Sequence, residues 1–249
     1  GGEIFKSLEH TERLIRSAAT LDMPMPWSVD QIEAAKRAVL EKNGLVDAYV
    51  RPVAWRGSEE LSVPARNNTV HLAIAAWVWP SYFSVEEKLK GIRLEWSKWK
   101  RPSPETIPSS AKAAGLYMIC TLSKDAAMAN GYADALMLDY RGYVAEATGA
   151  NVFFIKGKEI TTPTPDCFLN GITRQTLIDL AKRNGYTVTE RHILPEELSQ
   201  FDECFLTGTA AEVTPVSVIG DNNFVPGEGC RTLIDAYSAE VQPQQAAAE

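Results

Sequence analysis

The chain has 249 residues, 45% of them hydrophobic, and can therefore bury a large core. Its formal net charge of −7, without a block of basic residues, argues against a nucleic-acid partner. We expect no signal peptide and no membrane-spanning helix, because no basic segment precedes an apolar one and no apolar run reaches bilayer length. Four cysteines without metal-ligand spacing predict reduced thiols in a cytoplasmic protein.

Apolar periodicity predicts two helices and then two strands in the first part of the chain, over residues 7–21, 28–43, 46–55 and 69–79. A capping box formed by Ser28 and Gln31 begins the second helix. In the first strand the alternation places Tyr49 and Arg51 on the same face, and the second strand is predicted to be more fully buried. Three prolines between Lys98 and Ser110 mark an irregular connection.

The remainder of the chain predicts a mixed α/β arrangement. Helices are expected over residues 111–130, 172–184 and 231–239, and strands over 135–138, 143–145, 151–155, 187–191 and 204–207. Tight turns between the strands favour antiparallel hairpins, so neither a Rossmann alternation nor a pure barrel is predicted. We therefore expect a small, incomplete N-terminal α/β domain, an interdomain connection and a large C-terminal domain, at residues 1–101, 102–110 and 111–249.

Two glycine-containing turns are candidates for binding an anion. One follows the strand at 205–207, and the other, at 169–173, begins a helix; each presents backbone N–H groups beside a hydroxyl residue. Lys112 lies among Ala, Ser and Gly residues, which would let a planar ring stack beside it, and Glu146 is an isolated acid. There is no Walker loop or Gly-x-Gly-x-x-Gly motif, and the three histidines are scattered. A phosphate-bearing cofactor is the resulting hypothesis.

Several motifs have the order and spacing of one family: His10-x-x-Arg13-Leu14, Tyr49-x-Arg51-Pro52, Lys112-Ala113-x-Gly115-x-Tyr117, Glu146-x-x-Gly149-x-Asn151, Gly171-Ile172-Thr173-Arg174 and Thr207-Gly208-Thr209-Ala210-Ala211-Glu212. With them the chain resembles the class IV, pyridoxal-phosphate-dependent aminotransferases, and the branched-chain amino acid aminotransferases in particular. The resemblance implies the two-domain α/β (α+β) fold of the D-amino acid aminotransferase type. The opening strands of that fold have no counterpart before Gly1, so we expect them to be missing.

The resemblance also implies a cofactor site for pyridoxal 5'-phosphate. Lys112 would hold the cofactor aldehyde as a Schiff base and shuttle a proton, and Glu146 would keep the pyridine nitrogen protonated. The other implied cofactor contacts are Arg13, Ile172, Thr173 and Thr209 at the phosphate, Tyr117 at the phenolic oxygen and Leu169 on the ring face. From the residues alone, Lys112 could be a solvated surface lysine, Glu146 an exposed acid, and Arg13 the partner of Glu9 in a helix pair.

Substrate residues follow from the same resemblance. The backbone amides of Thr209 and Ala210 would bind the α-carboxylate together with Tyr49, Arg51 would bind the distal carboxylate of glutamate, and Trp79 and Tyr82 would line an apolar side-chain pocket. The implied reaction is amino transfer between a branched-chain L-amino acid and 2-oxoglutarate by a homodimer. The alternatives are a class IV enzyme of another specificity, such as an (R)-amine or D-amino acid transaminase or aminodeoxychorismate lyase, and a catalytically silent relative.

Overall fold

The computed structural model describes residues 3–79 and 85–242 of the chain. The described residues form two compact units, which divide between these two ranges. The division lies closer to the N-terminus than the predicted connection at 102–110, because residues 92–96 form a strand in the sheet of the second unit. Residues 85–101 therefore belong to the second unit.

The first unit contains two helices and two strands: α1 at Ser7–Thr20, α2 at Val29–Lys42, β1 at Tyr49–Arg56 and β2 at Val70–Trp77. The predicted capping box is confirmed, since the Gln31 amide donates to the Ser28 hydroxyl and the Ser28 amide donates to the Gln31 side chain. Buried Lys36 of α2 pairs with Glu33 of the same helix at 2.9 Å and donates to the carbonyl oxygen of Ser7, the first residue of α1. The hydrogen bond to Ser7 holds α1 against α2.

Strands β1 and β2 pair antiparallel, with Tyr49 opposite Trp77 and Arg51 opposite Ala75. The prediction that β2 is more fully buried is wrong. Its side chains alternate, and Ala73 and Ala75 are exposed, as expected for a sheet with one covered face.

The second unit contains the remaining elements: α3 at Val85–Lys88, β3 at Ile92–Trp96, α4 at Met118–Ala129, β4 at Asp134–Leu138, β5 at Val144–Ala147, β6 at Asn151–Lys156, β7 at Glu159–Pro163, α5 at Ile172–Arg183, β8 at Thr187–Arg191, β9 at Glu203–Gly208, β10 at Glu212–Ile219, β11 at Asn222–Asn223 and α6 at Glu228–Val241. The mixed α/β prediction is confirmed. Sequence patterns missed β3, β7 and β10, which are short, charged or interrupted by a proline.

Six of the nine strands in the main sheet close into a ring. Strand β9 pairs with both β10 and β6, which completes the order β10, β3, β4, β5, β6, β9. Apolar side chains including Leu94, Leu136, Val152, Phe154 and Leu206 form one buried cluster in this ring. Alternation along β6 and β9 places Asn151, Phe153, Thr207 and Phe205 on the opposite face.

The helix predicted over 111–130 begins only at Met118. Ala113 is extended, with φ −118° and ψ 146°, and a single 3-10 turn covers Ala114–Leu116. Gly115 lowers the helix propensity of this stretch, so Lys112 lies on an irregular segment before α4. Within the described parts of the chain, no helix combines the length and apolar character needed to cross a bilayer.

Candidate active site

A row of polar side chains crosses three neighbouring strands of the ring. Glu146 on β5 is opposite Asn151 on β6, and Asn151 is opposite Thr207 on β9. The Asn151 amide nitrogen donates to Glu146 Oε2 at 3.1 Å and to the carbonyl oxygen of Leu169 at 3.0 Å. Because all three side chains are buried, this row is a polar strip inside an apolar sheet face.

Arg101 supplies the positive charge closest to Glu146. Its Nε lies 3.3 Å from Glu146 Oε1, and both side chains are buried. The Nε–H of Arg101 is not aligned for a hydrogen bond, and its Nη1 contacts the carbonyl oxygen of Leu116 and the Cys120 sulfur instead. The pair is therefore held together by charge at close distance, without a bidentate fork.

Burial dominates the protonation of Glu146. It raises the pKa of this carboxyl from 4.5 to about 7, while the positive charges of Arg101 and Lys112 pull the pKa downward. The nearby positive charges therefore do not offset the cost of burying the ionised carboxyl, which keeps its proton well above pH 4.5. A further cation placed against it would be stabilised.

Lys112 and Tyr117 meet at the edge of this site. Lys112 Nζ donates to the Tyr117 hydroxyl at 2.6 Å and lies 5.3 Å from the centroid of its ring. Its charge also acts on Glu146. The side chain of Lys112 is exposed, because its segment is irregular and its neighbours are small.

The anion turn at residues 169–173 lies beside Asn151. Gly171 is the N-cap of α5 and has no side chain that could accept from the first amides of the helix. A Cβ at Gly171 would lie 2.5 Å from Asn151 Oδ1, which explains the glycine. The same chain segment contains Leu169, Ile172 and Thr173. Asn151 donates to both the carbonyl oxygen of Leu169 and the Glu146 carboxyl, and so connects them.

The other anion turn, which follows residues 205–207, connects β9 to β10 and contains Thr209, Ala210 and Ala211. Thr209 and Ala210 are exposed. Tyr237 of α6 lies beside the start of α5: burial raises its pKa, a hydrogen bond with Thr173 lowers it, and the charge of Glu212 raises it. The second unit therefore contains both predicted anion turns, Lys112 and Glu146, and Asn151 joins Glu146 to the segment that precedes α5.

Arg13 lies on α1 in the first unit and is half-buried. Its Nη2 is 3.3 Å from His10 Nδ1. Glu9, its partner in the alternative interpretation, pairs with Lys6 at 3.1 Å.

An aromatic cluster surrounds Arg51 in the first unit. The Arg51 guanidinium lies 5.5 Å from the Tyr49 ring centroid and 5.6 Å from that of Trp77. Trp79 lies 5.5 Å from Tyr49 and is 48% exposed. The predicted pairing of Tyr49 with Arg51 on one face is confirmed, whereas Tyr82 lies outside the described residues.

Comparison with known proteins decides the family. A family model described as amino-transferase class IV matches residues 1–219. The chain belongs to the class IV aminotransferases. The probable branched-chain-amino-acid aminotransferase of Rickettsia felis is 44% identical over 222 residues, which are 89% of this chain and 75% of that relative.

Two solved structures of branched-chain aminotransferases resemble this class IV aminotransferase. The enzyme of Thermoproteus uzoniensis with norvaline has a TM-score of 0.90 and 32% identity, and the match covers 97% of this chain and 81% of that chain. The holo-form of the Thermobaculum terrenum enzyme has a TM-score of 0.88 and 31% identity, over 95% and 78%. The family resemblance and the fold class predicted from the sequence are confirmed.

Three residues of this class IV aminotransferase were missed as site residues in the sequence. Arg101 pairs with Glu146, and Asn151 connects Glu146 to Leu169. Buried Arg174 binds Asn170, the carbonyl oxygen of Pro163 and Glu190, and so ties the loop before α5 to β7 and β8. Asn151 and Arg174 stand within the quoted motifs, so a search of those motifs for buried polar residues could have found them.

The raised pKa of Glu146 predicts how the stability of the cofactor-free protein depends on pH. The native pKa of about 7 lies above the unfolded value of 4.5, so the folded state holds a proton that the unfolded state releases. Stability should fall as pH rises from 4.5 to 7 and stay lowered above 7. The loss is about 3 kcal/mol for this difference in pKa.

Glu146→Gln should remove this fall. The measurement is the free energy of unfolding in urea at about pH 5 and about pH 7.5, for the wild-type chain and the variant, with exposed Glu105→Gln as the control. Glu105→Gln should keep the wild-type pH dependence. If Glu146→Gln kept it as well, Glu146 would not be the titrating group.

Proposed function

We propose that this chain is a pyridoxal-phosphate-dependent transaminase that moves an amino group between a branched-chain L-amino acid and 2-oxoglutarate. The observation that carries the proposal is the buried Glu146 carboxyl, whose pKa is raised by burial and pulled downward by the positive charges of Arg101 and Lys112. Asn151 connects this carboxyl to the segment before α5, a helix whose N-cap is a glycine. The relatives named above as branched-chain aminotransferases support the substrate class.

The residues present fit the cofactor. A pyridine ring with a protonated nitrogen would supply the cation that the Glu146 carboxyl lacks, and a phosphate would accept from the uncapped amides of α5. Gly171 leaves no Cβ in that cradle. When bound, pyridoxal 5'-phosphate supplies an aldehyde and a ring that accepts electrons.

Each protein group has a separate task in this proposal. Lys112 would hold the cofactor at its aldehyde carbon and move the proton to and from the substrate α-carbon. Tyr117, which already binds Lys112 Nζ, would donate to the phenolic oxygen, and Leu169 would pack on the ring face. The phosphate contacts would be Arg13, Ile172, Thr173 and Thr209.

Substrate binding divides between two kinds of group. The amides of Thr209 and Ala210, with Tyr49, would bind the α-carboxylate that amino acids and 2-oxo acids share. Arg51 would bind the distal carboxylate of glutamate and 2-oxoglutarate, and Trp79 and Tyr82 would line the apolar side-chain pocket. The Arg51 guanidinium lies over the rings of Tyr49 and Trp77, so a cation and apolar ring surface stand side by side. This arrangement supports a site that accepts both charged and apolar side chains.

We infer further that the chain acts as a homodimer in the cytoplasm. The four cysteines are unpaired and buried thiols, as expected in a reducing compartment. Class IV enzymes of other specificity remain the alternative, and the aromatic cluster around Arg51 favours a glutamate-using transaminase over them.

Borohydride reduction of the yellow, cofactor-loaded protein, followed by peptide mapping, tests the assignment of the lysine. The phosphopyridoxyl label should be on Lys112, and Lys112→Arg should lower the rate of leucine and 2-oxoglutarate transamination between about 100-fold and 10,000-fold. Exposed Lys156→Arg is the matched control and should keep the rate. A label on another lysine contradicts the site, and absent transfer with every amino donor contradicts the function.

Arg51→Gln should separate the two substrates. Loss of the charged hydrogen bonds should raise KM for glutamate and 2-oxoglutarate roughly 10-fold to 100-fold and leave KM for leucine within about twofold. Steady-state kinetics of both half-reactions measure the effect, with exposed Arg66→Gln as the control. An equal rise in KM for leucine and glutamate would assign Arg51 to the α-carboxylate instead.

A further inference from the structure

We propose that Thr207 and Glu212 are positioning residues that hold the turn at Thr209 and Ala210 in the shape that binds the substrate α-carboxylate. The inference rests on the proposed function, which gives this turn to the α-carboxylate. It concerns groups that do not touch the substrate themselves. Their effect passes through the backbone of the turn.

The backbone of Glu212 has an unusual conformation. Its φ is +49°, in the left-handed region that glycine and asparagine favour, and it stands where the turn enters β10. In the register of the hairpin it lies opposite Gly208. A glutamate in this conformation persists only where its surroundings hold it there.

Two threonine hydroxyls hold the carbonyl groups of the turn. Thr207 Oγ1, which is buried on β9, donates to the carbonyl oxygen of Glu212 at 2.7 Å. Thr214 Oγ1, on β10, donates to the carbonyl oxygen of Ala211 at 2.6 Å. With both carbonyls held, the orientations of the two peptide planes at Glu212 are fixed.

The Glu212 side chain forms a third anchor. Its Oε2 pairs with Lys88 Nζ at 2.6 Å, and the Lys88 side chain is only 15% exposed. Lys88 ends α3, so the pair ties the turn to an element 124 positions away in the chain. The turn is therefore held by two hydroxyls and one ion pair.

The residues between these anchors are open to solvent. Thr209 and Ala210 are exposed, and their N–H groups donate to no backbone carbonyl of another described residue. Donors that are held in place before the ligand arrives lose little freedom on binding it. The anchors should therefore determine affinity for carboxylates, which both half-reactions share.

Thr207→Val tests this with nearly unchanged shape. It should raise KM about tenfold for leucine, glutamate and both 2-oxo acids together, with kcat within about twofold, as expected for ground-state binding of one shared group. Thr207→Ser should restore KM. Thr162→Val is the matched control, because Thr162 is equally buried and donates to the carbonyl oxygen of Val152 at 2.8 Å, away from the turn.

A second pair of variants tests the backbone of Glu212. Glu212→Asn removes the ion pair but suits the left-handed region, whereas Glu212→Val disfavours that region. We expect the valine variant to raise KM at least several-fold more than the asparagine variant. Equal effects would make the ion pair the whole contribution of Glu212 and overturn the role of its backbone conformation.

A binding measurement tests the positioning role without catalysis. The carboxylate 4-methylvalerate is titrated into the protein, and its binding is monitored by NMR of the backbone amides. In the cofactor-loaded protein the Thr209 and Ala210 resonances should shift, and Thr207→Val should raise the Kd about tenfold. Shifts without transamination would contradict the proposed function and keep the positioning role. Transamination with unaltered KM and Kd in Thr207→Val would overturn the positioning role.

Discussion

The buried carboxyl of Glu146 is the constraint on which the rest of the site depends. It lies on a strand of a closed six-strand ring, where desolvation works against its charge. Arg101 and Asn151 lower that cost without cancelling it, since one contact is an unaligned ion pair and the other a single amide hydrogen bond. Because the nearby positive charges do not offset the burial of this carboxylate, a cationic ring nitrogen placed against it would be stabilised.

The ring of strands explains why distant parts of the sequence meet at Glu146. Antiparallel pairing of β5, β6 and β9 places Glu146, Asn151 and Thr207 side by side, and the turn that follows Thr207 belongs to the same edge. Asn151 then carries the connection to Leu169 and the N-terminus of α5. One sheet face therefore supports both the proposed ring-nitrogen contact and the two anion turns.

Local patterns predicted much of the fold and the principal candidates of the site. Helical periodicity and a capping box indicated α1 and α2, and the order of short motifs pointed to Lys112 and Glu146. Arg101 could not be found in this way, because its meaning depends on a partner that only the closed sheet brings near. The start of α6 is similar, since the carboxylate that accepts its first amides belongs to Glu203 on β9. The exposure of Lys112 also followed from irregular backbone that periodicity does not describe.

Protonation of the cofactor ring is the most direct test of the role of Glu146. The measurement is the 15N chemical shift of the pyridine nitrogen in labelled pyridoxal 5'-phosphate bound to the wild-type chain and to Glu146→Gln, from about pH 6 to about pH 9. We expect the nitrogen to stay protonated across this range in the wild type and to lose its proton in the variant. The same shift in both proteins at every pH would contradict the account.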